Sequence, residues 1–219
     1  MLCVFSHLQD AMTSADPRQF WDARYGDTDF AYGDQPNDFL REQAALLRPG
    51  EALCLAEGEG RNGVHLAELG HRVTIQDLSA VGLAKARRLA AERGVSIETC
   101  CGDLQEFRPR PESTDLVVAI WMHLPPPLRA SVLAQAIAAL RPGGHLILEA
   151  YSPRQLALGT GGPPSIELLV EPEQIRMELA GLELLVLVER QRPIHEGPYH
   201  QGTSAVVQAV GRKPAARTP

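Results

Sequence analysis

The sequence predicts an α/β fold, doubly wound, with a seven-stranded and mostly parallel sheet carrying one antiparallel strand near the C-terminus. Three observations predict it. From about residue 51 onward short apolar runs alternate with helical patterns, as in a parallel sheet covered by helices on both faces. The glycine pattern Gly58-x-Gly60-x-x-Gly63 falls between the first apolar run and the first helix that follows it. The last two strand-like runs have no helix between them, and because parallel neighbours need a crossover, one of the two must run against the sheet.

The elements follow in order. Residues 17–47 read as two helices split by an aromatic turn, Tyr25-Gly26 and Tyr32-Gly33, expected to lid the sheet. The runs 52–56 and 73–75 are strands, each followed by a helical pattern, 62–69 and 80–93, the second closed by Gly94. Strands follow at 95–100, 116–120 and 145–151, with a helix over 127–140 that stops at Arg141-Pro142-Gly143-Gly144. A last helix spans 171–180. Strands at 182–188 and 205–210 close the domain, joined by a loop of roughly 15 residues. The biased segment Gly159-Thr160-Gly161-Gly162-Pro163-Pro164 is a candidate functional loop.

At 219 residues, with 44% hydrophobic and 22% charged side chains, the chain suits one globular domain, placed at 17–212. Residues 1–16 are expected to be a disordered or non-native extension, with Met12 as the natural start, and 213–219 a frayed tail. Acidic residues outnumber basic ones, 27 to 21, for a net charge of -6, the wrong sign for a phosphate backbone; nucleic acid is not expected as a partner. No apolar stretch approaches the roughly 18 to 20 residues of a membrane span. The first eleven residues lack the basic and apolar regions of a secretory signal. The four cysteines form no C-x-x-C pair, which fits a reduced cytoplasm.

The glycine turn carries the chemistry. Gly58 and Gly60 permit a tight turn that a ligand can approach, and Gly63 permits close packing of helix on strand. Asp77 ends the next strand about 20 residues on, where a carboxylate accepts hydrogen bonds from ribose hydroxyls. Glu57 and Glu59 flank the turn. At about 5 Å and an effective dielectric near 20, each carboxylate would oppose a pyrophosphate by roughly 3 kcal/mol before screening. S-adenosylmethionine is the expected ligand instead, since it carries sulfonium and ammonium cations and one carboxylate that the helix N-terminus at Asn62 would attract. His123 is a candidate general base, because an imidazole of ordinary pKa is poised for proton removal at neutral pH.

The stretch Ala56-Glu57-Gly58-Glu59-Gly60-Arg61-Asn62-Gly63, with Val73-Thr74-Ile75-Gln76-Asp77-Leu78-Ser79, resembles the first two motifs of class I S-adenosylmethionine-dependent methyltransferases, which are Rossmann-like. It is similar in particular to the tellurite-resistance and thiopurine methyltransferase-like branch. Cys101-Gly102-Asp103-Leu104, His123-Leu124-Pro125-Pro126 and Leu140-Arg141-Pro142-Gly143-Gly144 extend the likeness, which departs at Gln76 and Trp121. The resemblance implies that Asp103 and Leu104, after Gly102, meet the adenine, that Leu78 packs on it, and that the carbonyls near Ile120 and Trp121 hold the methionine ammonium. It also implies a lid in which Arg24 or Tyr32 touches the donor carboxylate. Tyr25, Tyr151, His195 and His200 are candidate acceptor contacts, and no metal is expected. Methyl transfer to a small molecule, such as a thiol, a chalcogen oxyanion or a metabolite, is the expected reaction, with S-adenosylhomocysteine as product. A nicotinamide-dependent oxidoreductase and a non-catalytic nucleoside-binding module remain alternatives at this point.

Overall fold

The computed structural model describes residues 16–27 and 29–215, so the expected extension before Asp16 and the last four residues lie outside the described residues. Helices α1 (Pro17–Arg24) and α2 (Asp38–Ala44) precede the alternating core: β1 (Glu51–Leu55), α3 (Arg61–Glu68), β2 (Arg72–Asp77), α4 (Ala80–Glu92), β3 (Glu98–Cys101), β4 (Thr114–Ile120), α5 (Pro126–Ala139) and β5 (Leu140–Tyr151). After two short 3-10 turns come α6 (Pro172–Glu178), β6 (Glu183–Glu196) and β7 (His200–Arg212). The seven strands lie in the order β3-β2-β1-β4-β5-β7-β6. β7 is antiparallel to both its neighbours and the other pairings are parallel, so the one reversed strand is the last.

Alternation of side chains along the strands divides the core. Leu53, Leu55, Val117, Ala119, Leu146 and Leu148 pack with Val132, Leu133 and Ala136 of α5 and with Ile175 of α6. Their sequence neighbours Ala52, Cys54, Leu116, Val118 and Ile147 face the other way, onto Leu40, Leu66, Leu83 and Ala86 of α2, α3 and α4. Helix starts are capped locally: Asn37 accepts from the Leu40 N–H at 3.0 Å and Ser79 from the Gly82 N–H at 3.0 Å. Helix α3 has Gly60 at its N-cap, with no side chain to offer, and is capped from outside by Glu57.

Gly63 lies where α3 crosses the sheet, and a Cβ there would stand 2.5 Å from the Ile75 Cγ2. Gly63→Ala is expected to cost about 1–2 kcal/mol, the lower part of the overpacking range because one methyl is added. Urea unfolding checks it; an unchanged midpoint would mean that α3 can move off β2 freely.

Two expectations change. The roughly 15-residue loop placed between the last strands is largely strand, for β6 and β7 continue as a long hairpin turned at Gly197, Pro198 and Tyr199. Lys213, assigned to the frayed tail, pairs with the Gly143-Gly144 turn through two backbone hydrogen bonds of 2.8 Å. The extended hairpin matters for function, since it carries Glu196 and His200 up to the carboxyl ends of β4 and β5.

Candidate active site

Ligands of open α/β sheets bind outside the carboxyl ends of the strands, and the expected donor residues gather there. Ala56, Gly58 and Gly60 all have positive φ, 49°, 61° and 88°, which bends the chain sharply between β1 and α3. Asp77, 5% exposed, accepts from the Gly58 N–H through one oxygen and from the Ser79 N–H through the other, each at 2.8 Å. Each oxygen keeps a lone pair for a ribose hydroxyl. Burial raises its pKa, against the backbone bonds from Ser79 and Gly58. Gly102 donates its N–H to the Asp77 carbonyl at 3.0 Å, which ties the Asp103-Leu104 turn to the end of β2; Leu104 is buried in the core with Leu53 and Leu55, while Leu78 is half-buried. Gln76, one of the departures from the family pattern, braces this corner by donating to the Gly102 carbonyl. The strand ends thus present a buried carboxylate held by two backbone N–H groups, next to half-buried Leu78.

The glutamates of the turn do not stand open to a ligand. Glu57 turns back onto α3 and accepts from the Asn62 and Gly63 N–H groups at 2.7 and 2.9 Å. Glu59 pairs with Lys85 and accepts from the Ala31 N–H at 2.8 Å. Neither carboxylate is therefore free to oppose a pyrophosphate as expected, and the α3 N-terminus expected to attract the donor carboxylate is held by Glu57. Burial pushes the Glu57 carboxyl up to about 7, against the bonds from Gly63 and the charge of Arg61. Such a group binds a proton on folding between its ordinary value near 4.5 and 7, so its stabilisation is complete below the former and declines as pH rises through the latter. Glu57→Gln is expected to flatten stability against pH in that window; urea midpoints that keep the wild-type slope would contradict this.

Helix α1 lies across the donor side. Asp22 accepts from the Ser79 hydroxyl, and Arg18 donates to the Leu78 carbonyl at 2.6 Å. Tyr25, expected on the acceptor side, is buried against the glycine turn instead: a Cβ on Gly58 would meet its hydroxyl at 2.5 Å. Arg24 donates to the Tyr32 hydroxyl at 2.9 Å and lies 3.9 Å over the Tyr199 ring.

Beyond this, at the end of β4, stands an aromatic wall. Trp121 has φ 59°, an outlier for so bulky a residue and a form of strain that collects at functional sites. Its ring stacks on Tyr151 with centroids 4.3 Å apart, and His123 stacks on the far part of the same wall, 5.6 Å from Tyr151. His200 meets Trp121 and Tyr151 edge-on at 5.2 and 5.3 Å. The His123 Nδ1 lies 3.2 Å from the Leu168 carbonyl, which makes it the protonated nitrogen, and its Nε2 is buried without a hydrogen-bond partner among the described residues. Burial drives its pKa down to about 3. A general base of ordinary pKa was expected; the structure gives a neutral acceptor of fixed tautomer. Ile120 is core, and Leu124 packs on the α5 side. His195 is exposed and bonds Gln201, on the opposite face of β6 from Glu196, so it does not join the wall.

Under the wall lies a polar network that the sequence reading missed. Glu149, fully buried, is bonded by Arg192, Asn37 and Gln208; Glu196, 6% exposed, is bonded by Arg61, Asn37 and the Trp121 indole. Arg192 also reaches Glu196, at 3.4 Å. Burial raises the Glu196 carboxyl, but Arg61 and His200 outweigh it and hold the group far below the usual carboxylate range. One signal was available: Arg192, Ile194 and Glu196 share one face of β6 by alternation, had the strand been carried that far.

Residues 52–144 match a family described as Methyltransferase domain. The chain is 30% identical over 167 residues to N-terminal Xaa-Pro-Lys N-methyltransferase 1 of Rattus norvegicus, with 74% of each protein covered. The chain belongs to the S-adenosylmethionine-dependent methyltransferases. It is also 33% identical over 106 residues to tRNA 5-carboxymethoxyuridine methyltransferase of Escherichia coli (strain K12), covering 46% of this chain and 40% of that protein. Among solved structures, one described as converting a disulfide bond into a thioacetal group during echinomycin biosynthesis superposes with a TM-score of 0.74 at 20% identity, over 91% of this chain and 93% of that one. TehB from Haemophilus influenzae does so with 0.66 at 18%, over 90% and 66%. Both likenesses are of fold. These relatives correct the expected partners: a small-molecule acceptor with nucleic acid set aside conflicts with relatives named for protein N-termini and for tRNA. Net charge was a poor guide because a methyltransferase needs only a local surface for its acceptor. Among the described residues, no helix of this methyltransferase is long and apolar enough to cross a membrane.

Proposed function

We propose that this methyltransferase transfers the sulfonium methyl of S-adenosylmethionine to the α-amine of a cationic peptide. The observation that carries the reading is His123: with Nδ1–H directed at Leu168, its Nε2 offers a lone pair, at the end of β4, to an N–H of the acceptor. The names of the relatives similar over most of the chain, which specify an N-terminal Xaa-Pro-Lys, support nitrogen as the nucleophile and a lysine-bearing peptide as its carrier. In this reading Asp77 holds the ribose hydroxyls, Leu78 and Leu104 wall the adenine with Asp103 at its edge, and Gly58 and Gly60 supply the positive-φ turn, packed under Tyr25 and onto Ala86, that presents the Asp77 corner. When bound, S-adenosylmethionine supplies an activated methyl. The chain's own residues do the rest: α1, with Arg24 and Tyr32, excludes water, and His123 orients the neutral amine for in-line attack. The amine nitrogen takes the methyl and keeps its two protons as a methylammonium, so no base has to remove one. The likeness to the tellurite-resistance and thiopurine branch, and a reduced cytoplasmic setting, belong to the same proposal; the first rests on the quoted motifs, the second on cysteines left free at 54, 100 and 101.

The test is mass spectrometry of a peptide beginning Xaa-Pro-Lys, free or acetylated at its α-amine, beside unmodified tRNA. One added methyl on the free peptide alone is expected; methylation of the acetylated form or of tRNA alone would overturn the reading. His123→Ala is expected to lower kcat by roughly tenfold, a share of what orientation contributes. The shape of the pH profile from about 6 to 9 should not change, since a group titrating near 3 is neutral throughout. A profile that loses an inflection in the variant would restore the general base.

A further inference from the structure

The Glu196 carboxylate is where four separate elements meet. One oxygen accepts from Arg61 at 2.6 Å and from the Trp121 indole N–H at 2.7 Å, with the His200 Nδ1 at 3.7 Å; the other accepts from Asn37 at 2.9 Å, with Arg192 at 3.4 Å. Arg61 opens α3 directly after Gly60, so it belongs to the donor turn. Trp121 and His200 belong to the aromatic wall. An ion pair alone would need Arg61 and no more, yet the same oxygen also fixes an indole whose backbone lies in the left-handed region at φ 59°. The stacking on Tyr151 sets the plane of that ring, and the hydrogen bond from its indole N–H to Glu196 further restricts its rotation within the plane.

We infer that Glu196 is a positioning residue, which holds the Trp121 ring against Tyr151 and ties the acceptor wall to the donor turn through Arg61. It touches neither the donor nor the methyl, and its effect is exerted through Trp121. The two tryptophans of the chain, Trp21 and Trp121, allow a direct reading once Trp21→Phe leaves Trp121 as the sole indole. The inference rests on the donor site and not on the identity of the acceptor.

The experiment follows Trp121 emission and acrylamide quenching in the Trp21→Phe protein, with and without Glu196→Gln, while S-adenosylhomocysteine is titrated by calorimetry. Loss of the carboxylate is expected to raise the quenching constant about twofold, as a ring freed from its packed wall becomes reachable. The S-adenosylhomocysteine Kd should stay within about threefold, well under the tenfold that corresponds to 1.4 kcal/mol. S-adenosylhomocysteine is expected to change the Trp121 emission of the reference protein, and this change should be lost in the Glu196→Gln variant. Glu178→Gln breaks an ion pair with buried Arg129 that lies outside the Glu196 network, and controls for destabilisation alone. Glu196→Asp, which keeps the charge but shortens its reach, should give an intermediate quenching constant and serves if the glutamine variant does not fold. Unchanged quenching in a folded Glu196 variant, the same rise in Glu178→Gln, or a persisting emission change would overturn the inference.

Discussion

Replacing Arg192 with methionine should destabilise the protein by about 3–5 kcal/mol, the range for breaking a buried ion pair from one side. Arg192 bonds both oxygens of Glu149, which is fully buried, and is itself only 9% exposed. Methionine fills much of the volume but leaves Glu149 with only the neutral donors Asn37 and Gln208. An ionised carboxylate at that depth either remains under-compensated or takes up a proton. For a chain of this length, a loss of that size lowers Tm by roughly 6–20 °C. The double variant Arg192→Met/Glu149→Gln should recover most of the loss, because the uncompensated charge is then gone. Thermal and urea unfolding of the three proteins checks this; a single variant within about 1 kcal/mol of wild type would mean that the pair is hydrated in solution.

Asp77→Ala is expected to weaken S-adenosylhomocysteine binding by about 1.5–3 kcal/mol, or roughly 10- to 150-fold, the value of hydrogen bonds to a charged group. The same carboxylate holds the Gly58 and Ser79 N–H groups, so alanine also loosens the turn that the ligand lies against. Asp77→Asn separates the two effects: it keeps an oxygen for one N–H but removes the charge, and should fall between alanine and wild type. Equal binding by all three proteins would leave the ribose without its expected partner.

The fold was legible because its signals are local. Apolar runs of strand length, glycines after helices and the Pro-Gly-Gly turn at 142–144 each report on their own few residues, and the glycine turn sits in the predicted strand-to-helix context. The placement of the candidate donor residues was legible for the same reason: Gly58 and Leu104 follow strands of a parallel sheet and Asp77 ends one. The acceptor side was not. Its network joins Asn37 to Glu149 and Glu196 across 112 and 159 positions, and Arg61 to Glu196 across 135, separations at which spacing carries no information. Polar residues facing inward on the outer half of β6 read as loop, which hid both the hairpin and the opposite directions of His195 and Glu196. The roles of Glu57 and Glu59 were misjudged because sequence shows that a carboxylate flanks a turn but not where it points.

The most direct test of the account is calorimetry of S-adenosylhomocysteine and NADH with wild-type protein and Asp77→Ala side by side. Binding of S-adenosylhomocysteine that weakens at least about tenfold in the variant, with no binding of NADH, is the predicted result. S-adenosylhomocysteine binding unaltered by the loss of Asp77, or NADH bound in its place, would contradict the donor site described here.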